Sequence, residues 1–228
     1  MGVVSSRFST FLLFLTVLLS GVVTLGIELS ASRLLGSAFG TGNLVWASVI
    51  GLVLLYLAAG YFYGGRLADR SPAPLQLYGL VAWAGLLSGL VPYMARVIVP
   101  AVGGLSLPLV VAVPSVVMVL FAVPVSVLGC VPLYAIRLVL VDAGQAGRYA
   151  GQVYAWSTVG SVLGALVPVL YMLPVLGVTA TFGVLGGLLL AVAILGVWVH
   201  GGSRSLGRVA WMPVLLLLVW GISVLGGL

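Results

Sequence analysis

Acidic side chains occur at three positions in the whole chain, Glu28, Asp69 and Asp142, beside nine arginines, one histidine and one cysteine, and lysine is absent. Glu28 closes a long apolar run, and an ionisable group in or at a membrane span is a functional candidate because it is costly to place there. As a buried carboxylate, Glu28 would bind a cation or carry a proton, with Arg33 five residues on as its neighbour in a cation or substrate site. The bland alternative is an interfacial Glu, solvated or paired with Arg33 and worth little. Asp69 lies between Arg66 and Arg70 in GGRLADR (Gly64–Arg70). A carboxylate there can hold the following helix end or bridge to a neighbouring loop, which suits a conformational latch, against the alternative of a solvated turn. Asp142 with Arg137 and Arg148 reads as a topology anchor, and His200 as an interfacial residue.

Many chemistries are excluded by what is missing. A single His (His200) and a single Cys (Cys130) leave no disulfide framework and no His/Cys-built metal site. No Ser-His-acid set can be assembled, and the scattered acids make a catalytic carboxylate pair improbable. No strand exists to carry a nucleotide-binding Gly-rich loop. The arginines stand singly, so a nucleic-acid partner is not expected. The chain alone therefore reads as a non-enzyme without a metal or cofactor.

These residues must be positioned by helices in lipid. Of 228 residues, 63% are hydrophobic and 5% charged, with a mean hydropathy of +1.35; a soluble domain is about a quarter charged. A helix needs roughly 20 apolar residues to cross the hydrocarbon, and seven stretches qualify: 8–28, 44–63, 77–99, 107–129, 151–173, 175–199 and 210–228. The expectation is an all-α integral membrane bundle of about seven spans in a single domain, 1–228. With Met1 inside, Arg7, Arg66, Arg70, Arg137, Arg148, Arg204 and Arg208 fall on the cytoplasmic side and Arg33 and Arg96 outside. That asymmetry sets a cytoplasmic N-terminus and an outer-face C-terminus in the cell membrane. A cleaved signal peptide is disfavoured because the apolar run continues to Ile27. Met1–Ser6 fits a myristoylation pattern by chance, since seven spans need no further anchor.

The fourth span carries Pro108, Pro114, Pro124 and Pro132, which read as a bent packing helix or, more sharply, as the lining of a cavity. Small pairs four apart, Gly36/Gly40, Gly60/Gly64, Gly160/Gly164 and Gly183/Gly187, indicate close helix packing. VWASVIG (Val45–Gly51) and YAWSTVG (Tyr154–Gly160) open the second and fifth spans from opposite faces. That echo suggests an inverted-topology repeat. The six tryptophans fall mostly near span ends, as an aromatic belt would.

Two stretches carry a family resemblance. ELSASRLLGSAFG (Glu28–Gly40), Trp46 and GGRLADR are similar to the start of the membrane domain in transmembrane spermidine-synthase-like proteins, which join a major-facilitator-type half to an aminopropyltransferase. GQVYAWSTVGSVLGALVPVLYMLPVLGV (Gly151–Val178) resembles a second hallmark, a Tyr-Ala-x-(Ser/Asn)-Thr-x-Gly helix entrance followed by a Leu-Pro-x-x-Gly turn. GGRLADR also resembles the loop after the second helix of major facilitator transporters, though Ser71-Pro72 replaces the glycine and basic residues that usually follow.

The resemblance implies half of a major facilitator fold plus one helix, without the soluble catalytic domain. Ending in an apolar run at Leu228 fits a split or shortened protein. The leading expectation is a non-catalytic membrane subunit that anchors a soluble aminopropyltransferase-like chain or handles a cationic, polyamine-like solute. The alternatives are a small-solute secondary transporter working as a homodimer and an accessory subunit of a larger membrane complex.

Overall fold

The computed structural model describes residues 7–140 and 143–225. Asp142 lies outside them, so the expected Asp142 cluster is not described, nor are the Met1–Ser6 pattern and Leu228. Seven helices follow one another: α1 (Arg7–Phe39), α2 (Asn43–Arg70), α3 (Pro74–Gly103), α4 (Leu109–Val139), α5 (Ala146–Val167), α6 (Leu173–Leu206) and α7 (Trp211–Leu225). No strand occurs among the described residues. Five helical stretches are long and apolar enough to cross a membrane, namely α1 to α4 and the run Ala146–Leu206 that joins α5 to α6 through a π-helical turn at Pro168–Met172. This is the build of a multi-pass membrane protein. The stretch expected as a last span at 210–228 holds α7, with 15 residues, about 22 Å long.

Gly and Pro delimit the elements. Gly40 takes φ = 81° beyond the end of α1, a left-handed conformation that favours glycine. Gly36/Gly40 is accordingly a helix stop, with Gly40 N–H on the Gly36 carbonyl at 3.1 Å, and not the packing pair expected. Pro72 follows the end of α2, and Pro74 opens α3, where the missing N–H costs nothing. Gly177, at the end of the LPVLG turn, has φ = 78° and ψ = 175°, which only glycine adopts readily. α4 runs unbroken through Pro114, Pro124 and Pro132, with Pro108 at its N-cap.

Glycine contacts give the helix directions. A Cβ on Gly160 or Gly164 would overlap the carbonyls of Leu18 and Val22, so α5 lies parallel to α1 at backbone contact. Likewise, Gly60 abuts the Ser126 carbonyl and Gly64 abuts Cys130, so α2 lies parallel to α4. Gly85 and Gly186 face each other's carbonyls where α3 crosses α6, and Gly196 receives the Tyr78 ring, which makes those two antiparallel. His200 bonds Ser9 while Leu185 packs on Gly26, so α6 opposes α1. The chain therefore folds back between α5 and α6, at Gly177.

This packing repeats itself. Exchanging α1 with α4, α2 with α5 and α3 with α6 maps the α1–α5 glycine contacts onto those of α2–α4. Leu18, Gly21 and Val22 correspond to Ser126, Gly129 and Cys130, and Leu57, Gly60 and Gly64 to Ser157, Gly160 and Gly164, at one constant offset per helix. Gly21 meets the Ser157 carbonyl as Gly129 meets the Leu57 carbonyl. The Gly85–Gly186 contact maps onto itself and so lies on the internal two-fold. The bundle is an inverted repeat of two three-helix units, but the echo that suggested it is out of register. Trp46 corresponds to Ala146, and Trp156 to Tyr56. What recurs is the glycine seat, because backbone contact admits no side chain there.

Candidate functional site

A cavity of about 90 Å³ lies on this internal two-fold, between α1, α2, α4 and α5. It is lined by Ser20, Gly21, Thr24 and Leu25 of α1, Leu57 and Tyr61 of α2, Leu128, Gly129 and Pro132 of α4, and Ser157 and Ser161 of α5. All but Leu25 fall into symmetry pairs: Ser20 with Leu128, Gly21 with Gly129, Thr24 with Pro132, Leu57 with Ser157 and Tyr61 with Ser161. On α1 the cavity sits about midway between Arg7 and Arg33, hence near mid-depth of the bundle. Its volume has room for a few waters or one small head group.

The lining is polar on one wall. Ser20 Oγ donates to the Val17 carbonyl at 2.8 Å, and Thr24 Oγ1 to the Ser20 carbonyl at 2.7 Å. Such bonds to the preceding turn are how hydroxyls satisfy themselves within a helix. Ser157 and Ser161 form no hydrogen bond among the described residues. Pro132 lacks the N–H that the Leu128 carbonyl, one turn back, would otherwise receive. Pro132 thus lines the cavity, as in the sharper of the two readings of the fourth span, while Pro124 is buried in packing, as in the other.

Glu28 is one turn beyond Thr24 on α1, about 6 Å along the axis and on nearly the same face. It is half-buried and forms no hydrogen bond or ion pair among the described residues. Helix α1 continues eleven residues past it, so Glu28 is inside the helix and not at its end. Arg33 is exposed and points about 140° away around α1. The structure therefore does not bring Glu28 and Arg33 together.

The expected latch is built differently. Asp69 pairs with Arg137 at the end of α4, with Nε–Oδ1 at 3.1 Å and both side chains well exposed. Arg66 instead covers the Phe62 ring at 3.9 Å, and Arg70 is exposed. Sequence reasoning missed Tyr134, which is fully buried. Its hydroxyl donates to the Ser71 carbonyl at 2.8 Å and accepts from the Ala73 N–H at 3.1 Å, fastening the α2–α3 loop to α4. Gln76 Oε1 is a second acceptor at 2.8 Å, and a tyrosine in an apolar helix carries no sequence signal for these partners, which lie some sixty positions away along the chain.

His200 is more than an interfacial residue. It bonds Ser9 and the Gly196 carbonyl (2.9 Å), and stacks on Tyr78 with ring centroids 5.3 Å apart. With the Asp69–Arg137 pair, these contacts gather the start of α1, the ends of α2, α4 and α6, and their arginines at one end of the bundle. Arg33 and Arg96 are at the other end, where Arg96 bonds Ser223 of α7 at 2.7 Å.

The expected packing role holds for Gly60, Gly64, Gly160 and Gly164, but not for Gly183 and Gly187. Those two face open space in a crevice of about 430 Å³ between α3, α6 and α7, bordered by Leu216, Leu217 and Trp220. All six tryptophans are exposed, and Trp156 packs on Phe14 about two turns from the start of α1. No protein family, curated protein or solved structure matches this chain.

Proposed function

We propose that this chain is a seven-span protein of the cell membrane with Met1 inside, built as a major-facilitator-type half plus one peripheral helix, and that it handles a small cationic solute in the two-fold cavity. The carrying observation is a hydroxyl-bearing pocket at mid-depth, on the axis of an inverted repeat, with the unpaired carboxylate of Glu28 one turn away on the same helix face. Inverted repeats that hold a solute at their interface are a common transporter design. The likeness to spermidine-synthase-like membrane domains adds a polyamine-like cation as the solute class. The backbones of α2 and α5 do not come into contact among the described residues, and a second copy seated along these two helices is the homodimer form of this reading.

Anchoring a soluble aminopropyltransferase-like chain, or serving a larger membrane complex, is the second reading. It draws on the arginine-rich end, where Tyr134 and the Asp69–Arg137 pair hold the α2–α3 loop as a fixed platform. Flux of labelled putrescine into proteoliposomes tests the first reading. Saturable uptake reduced at least tenfold in Glu28→Gln supports it. Uptake indifferent to that substitution removes Glu28 from the role, and no uptake with a stoichiometric soluble partner in native membranes supports anchoring.

A further inference from the structure

We infer that the two-fold cavity is a subsite for a protonated primary amine, held by oxygen acceptors on one wall and apolar contacts on the other; this rests on reading the cavity as a solute site. The symmetry pairs expose the asymmetry. Ser20, Thr24, Ser157 and Ser161 all lie on the parallel helices α1 and α5, and of their mates Leu128, Pro132, Leu57 and Tyr61 on α4 and α2 only Tyr61 carries a hydroxyl.

Hydrogen-bond direction then selects the ligand. The protons of Ser20 Oγ and Thr24 Oγ1 are committed to the carbonyls of Val17 and Ser20. A hydroxyl has one proton and two lone pairs, so both oxygens can offer only acceptance to a cavity occupant. Ser157 and Ser161 are free to turn their oxygens the same way, and the Leu128 carbonyl has lost its helical donor to Pro132. An anion would find two fixed acceptors and no fixed donor. A primary ammonium brings three N–H donors to this wall, and its first methylenes fit against Leu57, Leu128 and Pro132. Its charge is answered by Glu28, one turn from Thr24 on α1; Asp69, the other described acid on a cavity-lining helix, lies about two turns past Tyr61 and is already paired with Arg137.

The test is calorimetric titration of the full chain in lipid nanodiscs with methylammonium, acetate and sodium. Saturable binding of methylammonium, with acetate and sodium at least tenfold weaker, is the expected result. Thr24→Val, which keeps shape and removes the acceptor, should weaken methylammonium at least tenfold, and Ser161→Ala severalfold. Equal binding of methylammonium and acetate, tighter binding of sodium, no binding at all, or full affinity in a folded Thr24→Val protein would each overturn the proposal. The ligand comparison uses the unaltered chain, so a poorly folding variant does not blunt it. Selective binding without flux would keep the subsite and overturn transport, whereas flux without ammonium selectivity would do the reverse.

Discussion

The α1–α5 pair and the α2–α4 pair are the same packing solution carrying opposite chemistry. Each brings two backbones together through three glycines, Gly21, Gly160 and Gly164 in one pair and Gly129, Gly60 and Gly64 in the other. Yet the first presents four hydroxyls to the axis, and the second presents Leu57, Leu128 and Pro132 with Tyr61 as its one hydroxyl-bearing residue among those lining the cavity. At the arginine-rich end, the second pair holds Tyr134 and the Asp69–Arg137 pair, whose counterparts in the first are Gly26, Val169 and Leu29. Repetition constrains only what the backbone approach demands. Every other position is released to differentiate, which gives one pair a binding wall and the other a tether.

The largest effect should come from the shared feature. Gly164→Val and Gly64→Val each put a branched side chain into a neighbouring backbone. Both should cost roughly 3 kcal/mol or more, equally in the two pairs, when unfolding is followed in a mixed detergent titration. A large difference between them would break the equivalence. Next comes the tether: Tyr134→Phe removes the hydroxyl that satisfies the Ala73 N–H, at about 1–3 kcal/mol. Faster proteolysis within Ser71–Ala73 should accompany that loss, and a loop no more cleavable than before would show that the hydroxyl does not fasten it.

Smaller still is Asp69→Asn. Its ion pair with Arg137 is exposed, so the change should be below about 1 kcal/mol and vanish as salt is raised. Gly183→Ala, placed in the open crevice, should be neutral or stabilise by up to about 1 kcal/mol. A loss as large as that of Gly164→Val would mean the crevice is filled in the membrane.

Composition and hydrophobic run length were enough to establish a helical membrane protein, because lipid leaves the backbone no other partner than its own helix. They did not place the helix stop at Gly40 or the fold-back at Gly177: hydrophobic run length ends the first span at 28 and puts Gly177 inside a span, whereas a positive φ decides both positions. The glycines of Gly60/Gly64 and Gly160/Gly164 were legible as packing residues, since nothing larger allows such an approach. Gly183/Gly187 has the same spacing and no partner, as a spacing says nothing of what stands opposite.

An inverted repeat was suggested by an echo between non-equivalent positions, and the true repeat was not legible, because it conserves backbone distances instead of side chains. Glu28 was identified by type alone, whereas its separation from Arg33 and its place beside Thr24 follow from a helix that continues through it. Which hydroxyls meet at the axis and what Tyr134 holds were decided only by the tertiary structure. The hydroxyls that meet lie more than a hundred positions apart and Tyr134 reaches 61 to 63 positions back to the α2–α3 loop, and no local preference of the chain encodes such contacts.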